Sequence, residues 1–112
     1  MGYEVYITRA STPRESKQHP ISEAEWEELI ASDPSLVVSQ TDHYGRRTKD
    51  GRIESFVHVD WIGHPDRDDP PFMLIDGAIE IKSPDEAAVR KMVEMAQRLG
   101  ARVMGQENEV YE

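Results

Sequence analysis

HVDWIGHPDRDDPPF, residues 58–72, holds the densest set of chemistry-bearing side chains in the chain. His58 and Asp60 stand two apart, the spacing that puts both side chains on one face of an extended strand. His64 with Asp66, Asp68 or Asp69 could return from the following loop and complete a tetrahedral His/carboxylate site of the kind zinc accepts. The same residues offer an Asp–His pair for general acid–base work, with the carboxylate orienting the imidazole. Neither arrangement matches a compact signature such as H-E-x-x-H, and no serine sits in a nucleophile elbow. The glycines are isolated, so no phosphate-cradling loop is present and no cofactor is expected. The simpler expectation is a stiff, charged loop anchored by Trp61 and Phe72, with Asp66, Asp68 and Asp69 as a negative contact surface for a partner.

The elements that must position this loop are legible around it. Residues 3–9 (YEVYITR) alternate as a half-buried strand, with Tyr3, Val5 and Ile7 on one face. Ser22 and Glu25 form a capping box, and Ile21 and Trp26 have the spacing of a hydrophobic staple. A helix therefore starts there, burying Trp26, Leu29 and Ile30 and ending at Asp33-Pro34. Residues 36–40 (LVVSQ) read as a strand, and 41–52 as turn-rich, with Tyr44-Gly45, Asp50-Gly51 and the basic cluster Arg46-Arg47-Thr48-Lys49. Residues 53–62 form the longest strand candidate. Its alternation puts Val57, Val59 and Trp61 on one face and His58, Asp60 and Ile62 on the other. Strands at 72–75 and 78–82 flank Asp76-Gly77, a hairpin signal. Ser83 as cap, Pro84 at the first position and Glu86 open a second helix. Its stripe is Val89, Met92, Val93, Ala96 and Leu99, and Gly100 stops it. Met92, Met95 and Met104 read as gap-filling core. Short strands at 102–106 and 109–111 close the chain. The expected fold is α+β in a single domain, 1–112: a mostly antiparallel sheet of about five to six strands with two helices on one face, and room for parallel pairing across the second helix.

Composition narrows the partners. Thirteen Lys and Arg against 22 Asp and Glu leave a net charge of −9. Such a chain is repelled by nucleic acid and anionic lipid, so the expected partner is a basic protein. Absence of cysteine removes disulfides and thiolate chemistry and fits a reducing cytoplasm. The opening residues carry no signal-peptide pattern, and no apolar run is long enough to span a membrane.

Two stretches carry a resemblance. ISEAEWEEL, residues 21–29, resembles the I-S-x-x-E-W opening of a group of small bacterial proteins of unknown function. IDGAIEIKSPDEAAVRKMVEMAQRLGARVMGQENEVY, residues 75–111, is similar to that group's ending: a D-G turn, S/N-P-D-E, a helix, L-G-A-x-V and E-x-Y. Asn108 stands where the group's last turn often has glycine. Most matching residues are caps, turns and core, so the resemblance implies fold more than activity.

The size, acidity and lack of a catalytic motif in that group look like those of immunity proteins, which bind a cognate bacterial toxin and block its active site. The first expectation is therefore a non-enzymatic acidic binding protein that neutralises a basic toxin domain. Asp66, Asp68 and Asp69 would carry the contact, and Glu23, Glu27 and Glu28 of the first helix would support it. The alternatives are a small metal-dependent or acid–base enzyme using His58, Asp60 and His64, and a self-associating structural or adaptor protein. The last would pair an exposed strand, residues 3–9 or Val110-Tyr111, across a two-fold axis.

Overall fold

A computed structural model describes residues 3–47, 49–51, 53–63 and 71–111, with the backbone alone for 39–47 and 53–57. The elements run β1 (Glu4–Thr8), a short 3-10 turn (Pro13–Glu15), α1 (Glu23–Ser32), β2 (Leu36–Arg47), β3 (Ile53–Trp61), β4 (Met73–Ile75), β5 (Ala78–Lys82), α2 (Glu86–Leu99), β6 (Arg102–Gly105) and β7 (Val110–Tyr111). This is an α+β fold. Five strands form an antiparallel sheet in the order β4-β5-β1-β6-β7, and β2 and β3 form a separate two-stranded ladder. The parallel option across α2 is not used, because β6 pairs antiparallel with β1. One bridge, Val59 to Phe72, joins the β2–β3 hairpin to β4, with backbone bonds of 3.0 and 2.8 Å.

Strand alternation decides which face carries the core. Val5 and Ile7 of β1 lie opposite Ile81 and Ile79 of β5, and Ile7 also lies opposite Val103 of β6. These side chains meet Trp26, Leu29, Met92, Met95 and Leu99 from the helices in one continuous core. Each such aliphatic side chain removed from water contributes roughly 1.5–3 kcal/mol. The expected staple is present, with Ile21 and Trp26 both buried. The capping box is also complete, with Ser22 accepting from the Glu25 N–H and Glu25 accepting from the Ser22 N–H.

Several expectations change. Strand 3–9 was a candidate free edge, but β1 is central, bonded to β5 on one side and β6 on the other. The second helix is capped by Asp85, whose carboxylate accepts from the Ala88 N–H at 2.9 Å. Ser83 instead ends β5 at a φ of +47°, and its hydroxyl accepts from the Tyr3 N–H. That hydroxyl is held by the sheet, so the next acceptor along the chain caps the helix. The stretch 41–47, expected as turns, continues β2, and Tyr44-Gly45 pairs with Phe56 and Ser55. Arg46 and Arg47 are therefore strand residues, not a turn. A long partner strand overrode the local turn signal, at the cost of an irregularity. Between Val38 and His43, residues 39–42 stand opposite His58 alone.

The loop before α1 is fastened to the far face of the sheet. Thr8 is wholly buried, its hydroxyl 2.8 Å from that of Ser16, and it also accepts from the Ala10 N–H. Asp76 and Gly77 form the β4–β5 turn with φ of +53° and +86°, both left-handed. A Cβ on Gly77 would lie 2.5 Å from the Ser16 carbonyl oxygen and 2.9 Å from the Pro20 Cβ. Gly100, at φ +63°, has open space where its Cβ would be. Gly100→Ala should therefore lose only the left-handed strain, about 1 kcal/mol. Gly77→Ala adds a backbone overlap and should lose about 2–4 kcal/mol by urea denaturation.

Candidate binding surface

Strand β3 positions the first candidates. His58 and Asp60 share one face of it, as their spacing requires, with Asp60 exposed and His58 partly buried. The Nε2 of His58 is shielded from solvent and has no hydrogen-bond partner among the described residues. In backbone register His58 stands opposite the four-residue irregularity of β2. His64, Asp66, Asp68 and Asp69 lie outside the described residues. Among the described residues, no three His, Asp or Glu side chains converge into a metal-binding group.

Helix α1 positions the second set. Its inward stripe fixes Trp26 and Leu29 in the core, so helical periodicity turns Glu23, Glu27 and Glu28 outward, and all three are exposed. The helix contains no Lys or Arg, and among the described residues no cation reaches these three carboxylates. Glu23 and Glu27 are four apart, a like-charge pair that weakens an isolated helix slightly. Glu28 also lines a groove of about 260 Å³ between the helices, with Leu29, Ser32, Arg98 and Leu99.

The fourth glutamate of α1, Glu25, is committed to structure. Arg9, just past β1, donates to the Glu25 carboxylate (one bond at 2.8 Å) and to the Leu99 carbonyl at 3.0 and 2.7 Å. One guanidinium thus neutralises the start of α1 and satisfies the end of α2. The Arg9 hydrogen bonds, followed by the Ser22 N–H, hold the Glu25 carboxyl down at about 2. At the other end of the sheet, Tyr3 donates to Glu109; this keeps that carboxyl below its ordinary range and raises the phenol.

The sequence reading missed a buried ionic cluster. Lys91, on the core side of α2, is 7% exposed. Its ammonium donates to Asp33 at 2.6 Å and lies 5.9 Å from the centre of the Trp61 ring. Asp33, the C-cap of α1, also accepts from the N–H and hydroxyl of Ser35 at 3.0 and 2.6 Å. The Lys91 bond, then the Ser35 hydroxyl, hold its carboxyl down at about 2, from an ordinary 3.8. One signal in the sequence could have found Lys91. It sits three residues after Ala88 and four before Met95, on the stripe that the helix buries.

Chemically, the exposed α1 carboxylates can hold cationic side chains, and the interhelical groove can admit one. No family model, curated protein or solved structure matches this chain.

The cluster makes stability depend on acid. Asp33 is depressed in the folded state, so its contribution is complete above about pH 4 and is lost as pH falls towards about 2. Chemical denaturation across that window should show a loss of about 2 kcal/mol from this group. Asp33→Asn should destabilise at neutral pH by about 3–5 kcal/mol, because it leaves a buried ammonium without its carboxylate. It should also flatten the acid dependence, and adding Lys91→Met should recover much of the loss.

Proposed function

We propose that this chain is a non-enzymatic acidic binding protein of the cytoplasm that neutralises a basic partner, as an immunity protein neutralises a bacterial toxin domain. The observation that carries this reading is the outer face of α1. Three exposed carboxylates, Glu23, Glu27 and Glu28, have no cation from the described residues, on a chain of net charge −9. A partner bearing Lys or Arg would relieve their mutual repulsion and be steered to them by the field of the whole chain. Asp66, Asp68 and Asp69 are proposed as further contacts on the same electrostatic grounds. No helix among the described residues is long and apolar enough to cross a membrane.

A second reading, a metal or acid–base site built from His58, Asp60 and His64, has one observation in its favour. The shielded Nε2 of His58 has no hydrogen-bond partner among the described residues. The two readings separate by thermal shift. On the first, zinc leaves the melting temperature unchanged; a zinc-dependent rise that His58→Ala abolishes would transfer the assignment to the second.

The binding reading is tested by capture from native lysate with tagged protein, identified by mass spectrometry. One basic protein should be retained stoichiometrically at low salt and released at high salt. The triple reversal Glu23→Lys, Glu27→Lys, Glu28→Lys should lose it. No partner, or one indifferent to both salt and the reversal, overturns the assignment.

A further inference from the structure

Exposed carboxylates account for how a basic partner arrives, and less for what holds it. An ion pair at an open surface is screened by salt and contributes little to affinity, whereas a buried anchor ringed by contacts that exclude water contributes most of it. The outer face of α1 offers no such anchor. Trp26 and Leu29 are buried. The exposed large apolar side chains among the described residues are Val37, Ile62 and Val110, and none of them belongs to α1.

Two of those three stand together on the hairpin. Val37 lies directly opposite Asp60 in the β2–β3 ladder. Ile62 follows two residues after Asp60, and its N–H donates to the Ser35 carbonyl at 2.8 Å, so the alternation of β3 carries on through it. Leu36, Val59 and Trp61 take the inner face and pack on the core. Val37, Asp60 and Ile62 take the outer one, with Val37 42% and Ile62 60% exposed. Val37 and Ile62 are then diagonal neighbours, about 7–8 Å apart, flanking a carboxylate. Among the described residues no hydrogen bond or ion pair engages that carboxylate.

We propose that Val37, Asp60 and Ile62 form the anchor of the binding surface and seat one arginine of the basic partner. This anchor rests on the binding reading and gives the same partner a second point of attachment. The chemistry fits one side chain. Arginine carries a fixed cation whose planar fork matches a carboxylate, and an aliphatic stem that can lie along Val37 and Ile62. The two apolar side chains exclude water from around the ion pair. Charge complementarity disfavours other occupants. A second copy would bring two Asp60 carboxylates and two chains of net charge −9 to one interface, and an anionic lipid surface would be repelled by both the patch and the chain. Ser32, at the end of α1, and Val37 are five residues apart, a span of at most about 18 Å. A standard interface of about 800 Å² a side is wide enough to cover that distance.

The test is an NMR titration of the isotope-labelled full chain with two defined probes, the tripeptides acetyl-Leu-Arg-Leu-amide and acetyl-Gly-Arg-Gly-amide. The backbone amides of Val37, Asp60 and Ile62 should shift, and the leucine peptide should bind there about fivefold more tightly than the glycine peptide. Ile62→Ser and Asp60→Asn should each lose about that factor at the hairpin, with an unchanged thermal melt. Val110→Ser, at the third exposed apolar position, should leave the hairpin shifts as they are. Equal affinity of the two peptides at the hairpin, or hairpin shifts that survive Ile62→Ser, overturns the proposal. No shift at the hairpin overturns it too, whether or not the α1 amides respond, and the binding reading is judged separately by the lysate capture. Should Asp60→Asn disturb the fold, Ile62→Ser, at a position 60% exposed, decides alone.

Discussion

Among the described residues, the Lys91–Asp33 ion pair ties together more of the fold than any other single contact. Both side chains are almost wholly removed from water, with Lys91 at 6% and Asp33 at 10% exposure. Either charge left unpaired there would be strongly destabilising, so the two must arrive together. Asp33 ends α1 and begins the turn into β2, and Trp61, which lies against the ammonium, ends β3. Lys91 belongs to α2, which packs on β1 and β6. A single pair therefore joins the first helix, both ends of the hairpin and the second helix. Among the described residues one bridge connects the hairpin's ladder to the main sheet, and this tie adds to it.

Arg9 does comparable work at the other end of the helix layer. It neutralises the capping-box glutamate of α1 and supplies donors to the last carbonyl of α2. Between them, Arg9 and Lys91 draw Glu25 and Asp33 into the structure. The carboxylates left over, Glu23, Glu27 and Glu28, are those that helical periodicity points at solvent. Structure thus sorts an acidic composition into carboxylates that hold the fold and carboxylates free to meet something else.

Local chemistry was legible wherever it is short-range. The Ser22–Glu25 box and the Ile21–Trp26 staple stand as their spacing demands, because each closes within one helical turn. Asp76-Gly77 makes its hairpin turn because both residues tolerate left-handed φ, and Asn108, at +64°, serves as a glycine would in the last turn. The alternation along β1 and over residues 58–61 of β3 matches the observed burial, since a period of two survives whatever the partners are. The misreadings came where a distant partner outbid a local signal. Tyr44-Gly45 was drawn into β2 by β3, and Ser83 was taken by Tyr3, eighty residues away, leaving Asp85 to cap.

The sequence by itself determined the elements, the core faces and the surplus of negative charge. These follow from side-chain type and short periodicity, which need no knowledge of the rest of the chain. Only the tertiary structure decided that β1 is central, that Lys91 is buried, and that the register of β2 shifts opposite His58. Each of these depends on which segments meet across tens of residues. That choice is made by burying one shared core and pairing every buried charge, a condition on the whole chain that no short stretch of it contains.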